Sequence, residues 1–308
     1  MSTFLGIDTS NYTTSAALYD TESNRVIMEK QLLPVKSGEL GLKQSDAVFQ
    51  HIKQLPQILE RLFEQHRGSI AGVGVSVTPR RCEGSYMPCF LVGNTVASSI
   101  ASALSVPKYE FSHQEGHIMA ALYSSGHLGL LRDEFYAFHL SGGTTECLAV
   151  KYRQGVFEVR LLASSLDLKA GQAVDRVGVM LGLPFPAGKY LDEMACRDTE
   201  KISVHPCMKG LDCSLSGVEN QCRRMLEQGA LKERIARYCI EYICETVSCM
   251  TERIFAAYGV KPVIYAGGVM SNSIIRRKIG EKFGGYFAEP AFSSDNSAGI
   301  AVLASMMK

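Results

Sequence analysis

Residues 3–20 read TFLGIDTSNYTTSAALYD, and this stretch decides the fold. Residues 3–9 and 15–19 are strand-like apolar runs around a polar turn at 10–14, and residues 25–33 supply a third run. Three such runs joined by short turns predict an antiparallel meander. The pattern restarts further on, where 135–140, 145–152 and 156–163 give three more strand candidates with short turns. Between the two sets, Val48, Ile52, Leu55, Leu59, Leu62 and Phe63 share one face of a helix, with Pro56 predicting a kink or a break. A buried strand over 72–78, a small-residue helix over 91–104 and a short strand over 108–111 follow.

After the second meander a helical region is broken at LGLPFPAG, residues 181–188. The longest helix candidate starts near Lys232, with Ile235, Cys239, Tyr242, Thr246, Met250 and Ile254 as its inner stripe and Gly259 just past its end. A strand at 262–266, a helix at 272–283, a strand at 286–288 and a last helix from Asp295 complete the chain. The halves do not align residue by residue; what repeats is the order of elements. The expectation is an α/β protein of two similar lobes with a ligand cleft between them, lobe one over 1–130 and lobe two over 131–308. The final helix is a candidate to pack back on the first lobe. No linker-like stretch marks the join at 124–133, so closely packed lobes are expected.

Composition excludes several classes. The chain has 308 residues and a formal net charge of +1, so bulk charge points to neither nucleic acid nor a membrane surface. An RNA partner would need a local basic patch; Arg80 and Arg81, Arg223 and Arg224, and residues 276–278 are the candidates. The N-terminus lacks a signal-peptide pattern, and no apolar run approaches the roughly 18–20 residues of a membrane span. A cytoplasmic protein without membrane association is expected, its ten cysteines reduced and buried or inert. There is no CxxC pair, and Cys239, Cys244 and Cys249 fan out to different helix faces, a poor metal site.

Several segments could carry chemistry. His113 and His117 lie at i and i+4, so on a helix they either chelate one metal ion or sit as surface histidines. The zinc-protease pattern HExxH is absent, because Gln114 follows His113. Ser141-Gly142-Gly143-Thr144-Thr145 is either a phosphate-cradling turn or a plain hairpin turn. In 265–272 a strand runs through Gly267 and Gly268 into a helix, where Asn272 either caps the helix or bonds a sugar hydroxyl. Asp175 either pairs with Arg176 or accepts ribose hydroxyls, and Asp295 alone reads as an N-cap. No GxGxxG fingerprint is present, which disfavours a Rossmann oxidoreductase.

Taken together, the segments resemble the TsaD family, transferases that make threonylcarbamoyladenosine in tRNA. GIDTSNYTTSAALYD (6–20) is similar to the family's GIETS opening, SHQEGHIMAAL (112–122) to its HxEGH metal motif, and LSGGTTE (140–146) to its SGGHTQ loop. AGQAVDRVGVMLGLPFPAG (170–188), LDCSLSGVEN (211–220), AGGVMSN (266–272) and SSDNSAGIA (293–301) follow in the family's order. The resemblance implies an actin/hexokinase-like ATPase fold. It implies a divalent metal on His113, His117 and Asp295; that donor set suits iron(II) or zinc, with magnesium a further candidate through phosphate oxygens. It implies an adenylate or ATP-type ligand, with Ser141, Gly142, Gly143 and Thr144 around its phosphate and Asp175, Gly188 and Asn272 around its nucleoside.

The activity so implied is transfer of threonylcarbamoyl from threonylcarbamoyl-AMP to the adenosine next to the tRNA anticodon, with TsaB-like and TsaE-like helpers and a TsaC-like donor synthase. The family's Asp-Glu pair after GIETSC is here Tyr12 and Thr13, its loop histidine is Thr144, its GEAFD glutamate is Gln172, and residues 78–86 replace its GPG loop. Those departures raise two alternatives: carbamoyl or acyl transfer to another acceptor, or a nucleotide- and metal-binding regulator.

Overall fold

β1 (Thr3–Ser10) is buried along nearly its whole length, and Asp8 is its one charged residue. β2 (Thr13–Asp20) and β3 (Arg25–Leu32) fold back antiparallel beside it. β4 (Ile70–Thr78) and β5 (Lys108–Ser112) add in parallel on the other side, so the sheet order is β3-β2-β1-β4-β5. Three helices belong to this part of the chain: α1 (Gln44–Glu64), α2 (Phe90–Leu104) and α3 (His113–Ser124). The computed structural model describes residues 2–10, 12–34, 42–66, 68–293 and 297–307.

The second meander is β6 (Phe135–Leu140), β7 (Thr145–Arg153) and β8 (Val156–Ser164). Helices α4 (Ala170–Met180) and α5 (Gly188–Ala195) follow, then a small hairpin of β9 (Cys207–Lys209) and β10 (Asp212–Ser214), which sequence reading did not anticipate. α6 (Ser216–Glu227) and α7 (Lys232–Tyr258) lead to β11 (Val263–Ala266), α8 (Ser273–Phe283) and β12 (Tyr286–Phe287). β11 and β12 add in parallel to β6, giving β12-β11-β6-β7-β8. The two five-stranded sheets therefore share one plan, a three-strand meander extended by two parallel strands. All six residues of the expected α7 stripe are buried, and Gly259 ends the helix at φ +84°.

The last helix, α9 (Ser297–Ser305), packs on β1 and α3. Contacts divide the chain into two units, Met1–Leu128 with Ser294–Lys308, and Gly129–Ser293. The last segment, counted by sequence order with 131–308 but named there as a candidate to pack back on the first lobe, groups with the first unit. Three glycines permit its approach. A Cβ on Gly6 would stand 2.5 Å from the Ala301 nitrogen, one on Gly74 2.8 Å from the Ile300 oxygen, and one on Gly299 2.7 Å from the Ala120 nitrogen. Among the described residues no helix is long and apolar enough to cross a membrane.

Two expectations about α1 need correction. Pro56 does not break it; the helix runs through, because Pro56 and Ile52 lie on the exposed face, where water can satisfy the carbonyl that proline leaves unbonded. Ile52 is 55% exposed, and the buried stripe is Ala47, His51, Gln54, Leu55, Ile58 and Leu62. Polar residues enter that stripe because β2 offers them a partner. The Gln54 amide donates to the Leu32 carbonyl at 3.2 Å, which turns its oxygen toward the Thr14 hydroxyl at 2.8 Å. Thr14 spends its proton there, so the His51 Nδ1–H donates to the Thr14 oxygen at 2.8 Å. All ten cysteines are free thiols, and Cys82, Cys196 and Cys207 are exposed.

Burial pushes the His51 imidazole down to about 4, against the opposing pull of Asp8 and the Ser10 backbone. Below pH 6.5 the unfolded chain therefore binds a proton that the folded one refuses, so this contribution to stability is complete above that pH and is lost as pH falls toward 4. We expect the loss to be on the order of 3 kcal/mol. Urea unfolding of wild type and His51→Gln across that range checks it: the variant should lack this part of the slope, and parallel curves would refute the assignment.

Candidate functional site

In the first unit the two histidines share the start of α3. Ser112 is the N-cap, and its hydroxyl and the Glu115 carboxylate form a reciprocal capping box. His113 and His117 are half-buried, with ring centroids 4.7 Å apart on one helix face. Asp8, at the end of β1, brings Oδ2 to 3.1 Å from His113 Nδ1 and also accepts from the Ser76 hydroxyl. Burial pushes the Asp8 carboxyl up, but the charge and hydrogen bond of His113, with Ser76 and Ser10, hold it below its ordinary value. An ionised Asp8 can only accept, so the His113 Nδ1 facing it carries a proton, and in the neutral ring Nε2 is the nitrogen that holds the lone pair. A carboxylate that orients a histidine in this way is the usual support for a metal ligand. Of the expected metal set, the two imidazoles on one helix face, one of them oriented by a carboxylate, have the chemistry a divalent ion takes. Among the described residues no group of three His, Cys, Asp or Glu side chains gathers as a metal site, and Asp295 lies outside the described residues. Sequence reasoning missed Asp8; the signal was an acid alone in an apolar strand.

In the second unit the other named residues lie along one line of contacts. Ser141, Gly142, Gly143 and Thr144 make the β6–β7 turn, closed by Ser141 N–H donating to the Thr144 carbonyl at 2.8 Å. The turn docks on the start of α4: Gly171 N–H donates to the Ser141 carbonyl at 3.1 Å and Ala170 N–H to Thr145 Oγ1 at 2.8 Å. On the same helix Asp175 accepts the Ala187 N–H at 2.8 Å, which fixes the entry to α5 at Gly188. Burial raises the Asp175 carboxyl, against that bond. Arg176 turns away and pairs with Glu219 at 3.0 Å, so it is not the partner of Asp175. From α5, Asp192 accepts Ser273 N–H at 3.0 Å and the Ser273 hydroxyl at 2.9 Å. Asn272 caps α8, its oxygen accepting from Ile274 and Ile275 N–H, both at 3.1 Å. Only its amide NH₂ is left to donate outward. Gly267 closes the line, since a Cβ there would stand 2.7 Å from the Leu140 carbonyl carbon, beside Ser141.

The glycines along this line fall into two kinds. Gly171, Gly178 and Gly267 are held against neighbouring atoms of the chain. Gly142, Gly143, Gly188 and Gly268 are exposed, have ordinary φ, and would meet nothing within 4 Å if given a Cβ. Nothing within the unit requires glycine at those four positions.

The basic candidates are largely engaged locally. Arg81 binds Glu115, Arg223 binds Glu219 at 3.1 Å, Lys278 binds Glu241 at 2.7 Å, and the Arg276 guanidinium lies 5.4 Å from the centre of the Phe287 ring.

Residues 33–302 match the model of TsaD, tRNA N6-adenosine threonylcarbamoyltransferase. The chain belongs to the TsaD family. That makes it a member of a transferase family, and its SGGTT turn, the Asp175–Gly188 segment and the Asn272 cap are the TsaD-like motifs placed above. Solved structures share the fold at low identity. The (R)-2-hydroxyglutaryl-CoA dehydratase component A of Acidaminococcus fermentans is 16% identical, over 98% of this chain and 97% of that one, with TM-score 0.57. The activator of the 2-hydroxyisocaproyl-CoA dehydratase from Clostridium difficile, with bound ADPNP, is 15% identical, over 98% of this chain and 94% of that one, TM-score 0.55. Full-length HypF in its phosphate- and nucleotide-bound form is 14% identical, over 99% of this chain and 55% of that one, TM-score 0.61. The fold of this TsaD-family chain is accordingly of the actin/hexokinase-like ATPase type.

The two kinds of glycine make opposite predictions. Gly171→Ala should cost about 1–3 kcal/mol by driving the turn off α4, whereas Gly188→Ala should be neutral or stabilise by up to about 1 kcal/mol. Urea midpoints compare them directly; equal stability of the two variants would mean that the turn is not seated on α4.

Proposed function

We propose that this TsaD-family chain transfers threonylcarbamoyl from threonylcarbamoyl-AMP to the exocyclic amine of the adenosine next to the tRNA anticodon. The family match over residues 33–302 carries the proposal, and the four bare glycines supply room for the adenylate. The amides of Gly142 and Gly143 face the phosphate, Asp175 accepts from ribose hydroxyls, and Asn272 donates through its NH₂ beside Gly188. His113, His117 and Asp295 are the set that would hold a divalent ion, with Asp8 orienting His113. Such an ion, when bound, supplies Lewis-acid polarisation or phosphate binding. In the reaction the acceptor amine attacks the donor carbonyl and forms a C–N bond. The C–O bond to the phosphate breaks, AMP leaves with the electron pair, and the amine proton passes to solvent. The turn and the Asp175 segment contribute by holding the leaving group in line.

One observation favours a second reading, the same transfer to an acceptor other than tRNA. Arg81, Arg223 and Lys278, three of the seven candidate basic residues, each pair with a local carboxylate, which partly offsets their charge toward phosphate. Incubation with threonylcarbamoyl-AMP and unmodified tRNA, with TsaB-like and TsaE-like helpers present, separates the readings. Threonylcarbamoyladenosine in the digested tRNA, measured by mass spectrometry, is the expected result. AMP release without modified nucleoside points to the other acceptor. For the metal, His113→Ala/His117→Ala protein should lose bound ion by elemental analysis, and full occupancy in the double variant would remove these histidines as ligands.

A further inference from the structure

Arg81 lies in the segment 78–86, where sequence alone made it a candidate for phosphate contact. The side chain stays 45% exposed but reaches along the surface to a buried carboxylate. Its Nε lies 2.9 and 2.8 Å from the two oxygens of Glu115, and its Nη2 donates to the Glu110 carbonyl of β5 at 3.0 Å. Glu115 is 2% exposed, and one of its oxygens also accepts the Ser112 N–H at 2.6 Å and the Ser112 hydroxyl at 2.8 Å. The same loop reaches α3 a second time, where Gln114 N–H donates to the Pro79 carbonyl at 3.1 Å. The loop is braced internally, since Thr78 donates to the Ser85 carbonyl and Arg80 N–H to Ser85 Oγ at 3.0 Å.

A capping box needs only a serine and a glutamate. Here the glutamate is buried, and a buried carboxylate with no cation would carry a desolvation cost that the box alone does not offset. Arg81 supplies the cation from a different segment and ties it to the β5 backbone. The first turn of α3, which holds His113 and is followed one turn later by His117, is thereby fixed from both ends: by Asp8 at the His113 ring and by Arg81 at Glu115. We propose that Arg81 is a positioning residue, acting through Glu115 to hold His113 and His117 in the mutual geometry a metal ion requires. This rests on the metal reading above.

The test uses cobalt(II), whose absorption spectrum reports coordination. Wild type and Arg81→Ala, Arg81→Lys and Glu115→Gln are titrated with the ion, and amide hydrogen exchange of peptides covering residues 113–124 is followed in metal-free protein. Arg81→Ala is expected to weaken cobalt binding about tenfold or more, to shift the spectrum, and to speed exchange in the first turn of α3 but not in its last. Arg81→Lys, which keeps the charge, should recover part of the affinity. An unchanged dissociation constant and spectrum in Arg81→Ala would overturn the proposal. If wild type itself binds no cobalt, the metal reading fails. The exchange data then decide the positioning role alone: unchanged exchange in residues 113–117 overturns it, and faster exchange there sustains it.

Discussion

The close seating of α9 on β1, β4 and α3 is the constraint on which the first unit depends. Gly6, Gly74 and Gly299 have no room for a side chain, so the helix backbone rests almost directly on the sheet and on α3. Contacts of this kind are intolerant of added volume, because interiors are packed near crystalline density. The consequence reaches the chemistry. With α9 against both β1 and α3, the end of β1 and the start of α3 are held at one spacing, and Asp8 meets His113. A buried carboxylate needs such a partner. His113, Ser76 and the Arg81–Glu115 contact nearby turn a polar intrusion into an ordered site.

The second unit uses another device. Side chains and carbonyls of the chain already satisfy the first N–H groups of α4 and α8: Thr145 and Ser141 at one helix, Asp192 and Asn272 at the other. Helix starts often recognise phosphate through those groups. Here they are spent on joining the turn, α4, α5 and α8 to one another, and the amides of the Gly142–Gly143 turn are left exposed. The unit thus has close-packed glycines in its joints and bare ones on its surface. Asp175 belongs to the joints, accepting the Ala187 N–H while burial disfavours its charge.

Charge placement bears on the acceptor. Opposite charges within reach of one another on the folded surface pair locally, and a run of arginines in sequence does not become a basic patch when glutamates lie beside it. Arg176 and Arg223 share Glu219, and Arg237 and Lys278 share Glu241. The same rule pairs the exposed Arg81 with the buried Glu115, which linear distance could not reveal: Glu115 is 34 residues away.

Much was legible without coordinates. The two meanders, the α7 stripe and its Gly259 stop, and the positions of the glycine turns follow from period, turn chemistry and capping, all of which are local properties of the chain. The spacing of His113 and His117 sets them on one helix face for the same reason. Other features were not legible, because their physical cause lies far along the chain. Asp8 is a site residue only because α3 returns to β1 about a hundred residues later, and His51 and Gln54 enter the core only because Thr14 waits for them across a strand–helix contact. Pro56 is tolerated because its face of α1 meets water. Periodicity records which side of a helix is apolar. It does not record which polar groups will find partners there, and only the tertiary contacts decide whether burying such a group costs the fold stability or organises it.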